Sequence, residues 1–529
     1  MNTQRIVSLL IAIVMLFGMA FAEASYPVVE EPVTFKVMAK VASSYPDQNL
    51  GNVSAMKAYE EMTGIHIEWD NVDADMFNNT LAAAIASGDV LPDIILKGGI
   101  SNANLAAWGE QGILVDLAPY LEEYAPNFYQ LMKEEDTIAG AITTENGQIF
   151  GLPQVILAPE MRTPTKFWMN KKAMEKIGME DPTTLDELYD VLVAIHESDW
   201  NENGEADEVT IVASVDNMYN YFLGSFGLRT RGAHHDVVDV DPVTGELRIF
   251  ATSEDYREFL NYLTKLYTEG LIYPEIFTEG DKQASVFAAS EKLTTLFNTV
   301  APSAPADLLP DWYTINWSLE GPKGYAFHTQ TRSAVHSTGN FAITESCAPE
   351  KIGLALQWVD YFYTEEGSQL VLVGVKDQDW DVKEDGSLNW SDAALALKTE
   401  NMSDSAFRSL FGLWPSGNIP CCFYSNLFGA EYGELPAACA QALLANYAPE
   451  KIWPNINYTS SEGAVINTVS NDIKSYMKSF AASVITGEVE LTDEAWEEFV
   501  SKIEDMNADG LIEAYRAALT RVYGENAEF

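Results

Sequence analysis

From Asp199 to Glu208 the sequence reads DWNENGEADE, with side-chain oxygens at Asp199, Asn201, Asn203 and Asp207 and a glycine, Gly204, where a short loop must turn sharply. That alternation is what a hard cation asks of a backbone circuit, since Ca2+ gathers about six to eight oxygens from carboxylates, amides and main-chain carbonyls. The ligand set it predicts is the carboxylates of Asp199, Asp207 and Glu208, the amide oxygens of Asn201 and Asn203, and the backbone carbonyl of Glu205. Such a set suits Ca2+ better than Zn2+, which prefers His and Cys. Every predicted ligand is spoken for, so the ion is expected to brace the structure, with no open position for an activated water.

The first half of this loop looks like an EF-hand, but the twelfth position, where that motif carries a bidentate Glu, is Thr210, and Glu208 two residues earlier is the expected substitute. The flanks differ too. Upstream, Leu185, Leu188, Val191, Leu192 and Ile195 recur at helical spacing, whereas downstream Val209-Thr210-Ile211-Val212 is β-branched. Helix, ion loop, strand is the predicted order; the plain alternative is a solvated acidic turn.

The elements that position this loop belong to a chain of 529 residues, too long for one core. Apolar content of 47% excludes a disordered protein, and 31 basic against 79 acidic residues give a formal charge of −48 that repels nucleic acid and anionic lipid. Arg5 followed by an apolar run from Ile6 to Ala22, ending Ala20-Phe21-Ala22, predicts a secretory signal cleaved after Ala22 or Ala24, with an uncleaved anchor as the alternative. Cys347, Cys421, Cys422 and Cys439 have no zinc-site spacing and are expected as buried thiols or one bridge. His234-His235-Asp236 reads as an exposed hairpin feature rather than a metal site.

Val33–Met38, Ile65–Trp69 and Leu91–Leu96 read as strands, with helices over 55–63, stopped by Gly64, and over 78–87, stopped by Gly88. Strands alternating with helices predict an α/β fold with a mainly parallel sheet. The strings ASGDVLPDIIL, GILVDLAPYLEEYAP, GQIFGLPQ, MNKKAMEKIGMEDPTTLDELYDVL and DWNENGEADE occur in that order. They continue with LTKLYTEGLIYPEIF, LEGPKGYAF, LQWVDYFYTEEGSQL, GVKDQDWDV and AWEEFVSKIEDMNADGLIEAYRAAL. Together they resemble the extracellular solute-binding proteins (family 1) of carbohydrate ABC transporters, nearest the calcium-loop branch that includes LipO-like and alginate-binding proteins. The order and spacing carry the resemblance over essentially the whole mature chain.

The resemblance implies a type II periplasmic-binding-protein fold: two discontinuous α/β lobes, a hinge, and a ligand in the cleft between them. It places the signal in residues 1–24, lobe one in 25–158 and 336–391, and lobe two in 159–335, with the calcium loop, and mostly in 392–529. Gly151-Leu152-Pro153 is expected just before the first crossover, and Gly339–Ile343 as a strand returning to lobe one. One departure stands out. Gram-positive members usually carry a lipobox cysteine where this chain has Glu23 or Ser25, so an extracytoplasmic protein is expected without that lipid anchor.

Sugars present flat C–H faces and rings of hydroxyls, which aromatic platforms and polar side chains match. The expected cleft residues are Trp168, Trp312, Trp317, Trp414 and Trp453, with Arg162, Glu160 and Asp93 for hydroxyls or a uronate carboxylate; Trp358 and Trp496 are expected in the core. The function the resemblance implies is capture of an oligosaccharide and delivery to an ABC permease, by a monomer and without catalysis. A calcium-dependent extracellular glycan-active enzyme, or a glycan sensor or adhesin, is the alternative. The sequence offers no His-Glu-x-x-His, Gly-x-Ser-x-Gly or P-loop motif in support of an enzyme.

Overall fold

In the run Val33–Val41, alternate side chains leave opposite faces of a strand: Val33, Phe35, Val37, Ala39 and Val41 make one apolar face, and on the other, among Thr34, Lys36 and Lys40, only Met38 is buried. Phe35, Val37 and Ala39 enter one core, while Met38 enters another with Ile95, Phe77 and Ala342. A strand that buries one whole face, and Met38 on the other, belongs inside a sheet packed on both sides. The computed structural model of the protein describes residues 32–524 apart from 46, 206, 300, 303, 306, 383–387, 400–401, 416 and 425–433; the predicted signal lies outside the described residues.

This strand is part of a six-stranded sheet ordered Cys422–Phe423, Leu152–Ile156, Val335–Ile343, Ile94–Leu96, Val33–Val41, Ile65–Asp73. Val33–Val41 is parallel to both its neighbours, and Val335–Ile343 is antiparallel to both of its own. The helices Ser54–Thr63 and Phe77–Ser87 each end on a left-handed glycine, Gly64 and Gly88, as their sequence predicts. Gly339 is obligatory for a different reason. Its φ is +60°, and a Cβ there would lie 2.4 Å from the carbonyl oxygen of Ile100.

A second, four-stranded sheet runs Trp312–Ile315, Lys166–Asn170, Leu293–Asn298, Val209–Ala213, the last two parallel. Phe167, Met169, Ile211 and Ala213 face a core completed by the helices Glu254–Thr268 and Ser460–Ile485. Trp168, Val212, Leu296 and Trp312 face a smaller cluster on the other side. The two sheets and their separate cores are the two lobes.

The chain passes between lobes at 157–165 and at 328–334, and whereas Cys422–Phe423 pairs in the first sheet the helix Glu434–Asn446 packs on the second. The third crossing comes later than the sequence suggests. Residues expected to enter lobe two from Asp392 stay with the first, because Leu413, Ile419, Cys421, Cys422 and Phe423 fill its core and Cys422–Phe423 pairs with Val155 and Ile156. All four cysteines are free, buried thiols. Among the described residues no helix is long and apolar enough to cross a membrane.

Candidate functional site

Open α/β sheets bind ligands beyond the carboxyl ends of their parallel strands, where the strand order reverses. In lobe one, Val33–Val41 and Ile94–Leu96 end at a common edge, where the antiparallel Val335–Ile343 brings in the second crossover. In lobe two, Leu293–Asn298 ends with Asn298 opposite Lys166, the first residue after the first crossover. Both sheets therefore turn their carboxyl edges toward the connecting segments.

Those segments are tied to each other. The backbone N–H of Arg332 donates to the carbonyl of Arg162 at 2.9 Å, and Arg162 Nε donates back to the carbonyl of Arg332 at 3.1 Å. His234 Nε2 accepts from the N–H of Ser333 at 3.1 Å, and the backbone N–H of His328 donates to the carbonyl of Tyr447 at 2.7 Å. Burial holds His234 and His328 each down to about 3, so both rings are neutral at neutral pH. His234 and His235 are no exposed hairpin: His235 is enclosed between Trp453 and Tyr515, with Nε2 donating to the carbonyl of Pro454 at 3.0 Å. Adjacent side chains leave in different directions, and partners distant in sequence cover both.

At the lobe-one edge, the segment after Leu96 holds Lys97, wholly buried, with Nζ donating to the carbonyls of Leu413 and Pro415 at 2.6 and 2.7 Å. Trp414 lies between those two carbonyls, half-buried, with its ring 5.4 Å from that of Phe423 and the Arg408 guanidinium 5.8 Å from its centre. Sequence reasoning missed Lys97, because a lysine carries no signal of burial until its acceptors are known.

The other expected contacts divide by burial. Trp168 is 3% exposed, its Nε1 donating to the carbonyl of Asn298 at 3.1 Å and its ring packed in one cluster with Trp312. Trp453 is packed against His235 and Tyr515. Enclosed rings such as these have no free face for a sugar in this conformation. Trp317 is half-buried, with Nε1 donating to the carbonyl of Pro182 at 2.9 Å. Asp93 stands at the amino end of Ile94–Leu96, away from the crossovers, and its carboxylate accepts from the N–H of Lys36 at 2.8 Å. The side chain of Glu160 lies outside the described residues. Trp358 and Trp496 are core residues, as expected.

Lobe two also contains a cavity of about 90 Å3 bordered by Asp216, Tyr219, Arg229, Asp236, Lys474 and Lys478. Among the described residues the Tyr219 hydroxyl and Arg229 Nε are buried there without a hydrogen-bond partner, which suits a water in the cavity.

Across lobe two, the helix Leu185–His196 buries the five apolar residues its spacing predicts and starts with a capping box between Thr184 and Glu187. It leads into the oxygen-rich loop, where Gly204 has φ +82°. Asp199 Oδ1 and Oδ2 accept from the N–H groups of Asn203 and Gly204 at 3.0 Å, Asn201 Oδ1 accepts from Asn203 at 3.1 Å, and Asn203 Oδ1 accepts from Glu205 at 2.7 Å. Lys292 Nζ stands 2.5 Å from Asp207 Oδ2 and, by its hydrogen bond and charge, lowers the Asp207 carboxyl below its ordinary range. Glu208 is 6% exposed, and among the described residues neither carboxylate oxygen has a hydrogen-bond partner. A buried carboxylate without donors, at the end of a loop of oxygens, fits a hard cation. No group of three or more His, Cys, Asp or Glu is gathered for a metal among the described residues; two of the loop's side-chain donors are amides.

The sequence pattern of the family described as bacterial extracellular solute-binding protein matches residues 52–369. The chain is 26% identical over 347 residues to the fructooligosaccharide ABC transporter substrate-binding protein FusA of Streptococcus pneumoniae serotype 4, covering 63% of this chain and 62% of FusA. That match spans less than two thirds of the relative's length. Lipoprotein LipO of Bacillus subtilis is 23% identical over 401 residues, 72% of this chain and 74% of LipO. In three dimensions the protein resembles an HMO-binding, ABC-transporter-associated solute-binding protein from Bifidobacterium longum infantis, with a TM-score of 0.73 at 20% identity over 94% of this chain and 100% of the other. It also resembles an EF-hand mutant of FusA in complex with fructo-nystose, with a TM-score of 0.67 at 20% identity over 92% and 98% of the two chains. These likenesses show the two-lobed type II solute-binding fold.

Proposed function

The chain belongs to the bacterial extracellular solute-binding proteins, and from that premise we propose that it captures an oligosaccharide between its lobes and delivers it unchanged to an ABC permease. The observation that supports this most is the meeting of the two sheets' carboxyl edges at paired crossovers, with the half-buried ring of Trp414 beside one of them. A pyranose or furanose laid on such a ring covers its apolar C–H face, while hydroxyls outside the ring plane take hydrogen bonds. Trp414 and Trp317 are the proposed platforms, and Arg162, on the first crossover, the proposed polar contact. A ligand touching both lobes binds the closed arrangement more tightly than the open one, and that difference drives closure.

In this reading residues 1–24 export the protein, and the oxygen-rich loop holds Ca2+ through Asp199, Asn201, Asn203, Glu205, Asp207 and Glu208. The ion would supply the positive charge that Glu208 lacks and brace the turn between the helix Leu185–His196 and the strand Val209–Ala213. It has no part in holding the sugar. FusA is named for fructooligosaccharides and another similar structure for HMO binding, so neutral oligosaccharides head the ligand panel.

The test is a thermal-shift screen of the mature protein, with calcium present, against fructo-, milk- and uronate-containing oligosaccharides, followed by calorimetry and chromatography of the recovered ligand. One-to-one binding with the sugar recovered intact is expected. Hydrolysis of the sugar, or no shift with any glycan, overturns the proposal.

A further inference from the structure

Lys97 follows the central strand Ile94–Leu96 with φ +57°, a left-handed conformation unusual for a residue with a side chain. Its N–H donates to the carbonyl of Asn340 at 2.6 Å, which fixes the root of the side chain to the strand arriving from the second crossover. The side chain then turns into the lobe and is wholly buried. Its Nζ lies 2.6 Å from the carbonyl oxygen of Leu413, 2.7 Å from that of Pro415 and 3.4 Å from the hydroxyl of Tyr45. An ammonium has three donors and no acceptor, and here three acceptors converge on it. Burial, and then the charge of Lys40, lower this amine to about 7, in keeping with a group sealed from water.

The two carbonyls bracket one residue, Trp414. Its N-terminal neighbour is held a second time, the N–H of Leu413 donating to the carbonyl of Val371 at 2.6 Å. The segment therefore has little freedom to rotate its peptide planes, and the ring it carries is fixed at the carboxyl edge of the sheet. We infer that Lys97 is a positioning residue for ligand recognition, whose buried ammonium grips the peptide groups on both sides of Trp414 and so sets the ring on which a sugar stacks. The grip stands on the contacts above; only the sugar on the ring rests on the proposed carbohydrate function. An arginine does not replace it, because a planar fork cannot point three donors at one set of convergent oxygens.

The experiment uses the full mature chain with calcium, labelled with 5-fluorotryptophan, as wild type, Lys97→Met, Lys97→Arg, Tyr45→Phe and Trp414→Phe. The fluorine resonance absent from Trp414→Phe identifies that ring among the 12 tryptophans. Lys97→Met is expected to keep a cooperative melt while the Trp414 resonance shifts and broadens and the remaining resonances stay. Lys97→Arg is expected to leave it displaced. Tyr45→Phe, which removes one acceptor from the set, gives a smaller displacement of the same resonance and serves if Lys97→Met does not fold. With kestose and a milk-oligosaccharide mixture as probes, Lys97→Met is expected to weaken binding about tenfold, and the double variant with Trp414→Phe to bind no more weakly than Trp414→Phe alone. An unmoved resonance in Lys97→Met and Tyr45→Phe, full rescue by Lys97→Arg, or losses that multiply in the double variant would overturn the inference. Failure of the wild type to bind any glycan sinks the carbohydrate reading alone, since the fluorine measurement needs no ligand.

Discussion

Lys97 in the first lobe and Glu208 in the second are both charged side chains out of reach of solvent, 0% and 6% exposed, yet the protein treats them in opposite ways. Around Lys97 the chain provides three oxygens drawn from two distant segments. Around Glu208 the described residues provide no donor to either oxygen, while the neighbouring Asp199, Asn201 and Asn203 are bonded to the loop's own amides. Removing a charge from water without compensation costs several kcal/mol, so such groups persist only with a partner. The first charge is met within the chain; the second, with only the charge of Lys292 nearby, leaves a place for the proposed cation. In the proposed reading one is an internal fastening beside a sugar platform, the other a socket for calcium.

The largest expected effect follows from emptying the socket. A ligand that binds only the folded state stabilises it by about 4 kcal/mol at a thousandfold excess over its Kd. Chelation should lower the melting temperature and release hydrogen-exchange protection in Leu185–His196 and Val209–Ala213, with Val33–Val41 unchanged. Equal loss in both lobes would end the contrast. Next come two substitutions of opposite sign. Glu208→Gln removes a buried charge that has no hydrogen-bond donor among the described residues, and should stabilise the calcium-free protein by about 1–3 kcal/mol while abolishing its response to calcium. Lys97→Met leaves two peptide carbonyls unmet and should destabilise by about 1–3 kcal/mol with or without calcium. Urea melts of both variants in chelator and in calcium read the signs directly.

The two regions also differ in how far they were legible in the sequence. The loop is ten consecutive residues, so its oxygen spacing, its flanking helix and its strand are local facts. The alternation in Val33–Val41 and the glycine stops at Gly64 and Gly88 are local as well. Lys97 is not: its acceptors lie 316 and 318 residues downstream. The same holds for His235, enclosed by Trp453 and Tyr515, and for Trp168, whose neighbours Leu296 and Thr314 come from two other strands. A tryptophan near a proline or glycine reads as a loop platform until the strand beside it is known. The boundary at Asp392 slipped for a related reason, since the apolar residues from Ile419 to Phe423 have no visible partner until Leu152–Ile156 is placed next to them.

Acidity separates the fastening from its surroundings by a smaller effect. The unfolded amine of Lys97 titrates near 10.5 and the folded one near 7, so between those values the unfolded chain holds more protons. Stability must therefore rise with pH above 7, by up to about 1.4 kcal/mol per unit. Below pH 7 both states are charged and the full cost of burying the ammonium is present. The Tyr45 hydroxyl and Cys421 thiol beside it are pushed well above their ordinary values and titrate in the same span when unfolded, so the informative quantity is the wild type minus Lys97→Met difference. Its urea midpoint should climb from pH 7 to 9; a flat difference would mean that the lysine is not desolvated.

The smallest effect belongs to the rim of the socket. Lys292 holds Asp207, one of the proposed ligands, and both side chains keep contact with solvent, at 33% and 21%. An ammonium in that position is a weak stand-in for the cation: it neutralises one carboxylate oxygen but reaches neither oxygen of Glu208, which remain unpartnered. Calcium must displace it or share Asp207 with it, and the repulsion between the two cations is softened by water and salt. Lys292→Met should therefore tighten calcium binding about threefold at low ionic strength, with the gain shrinking as salt is raised. Calorimetric titration of calcium at two salt concentrations measures it. Weaker binding in the variant would place Lys292 among the groups that shape the loop for the ion, and would remove the competition between internal and external cations from the contrast between the lobes.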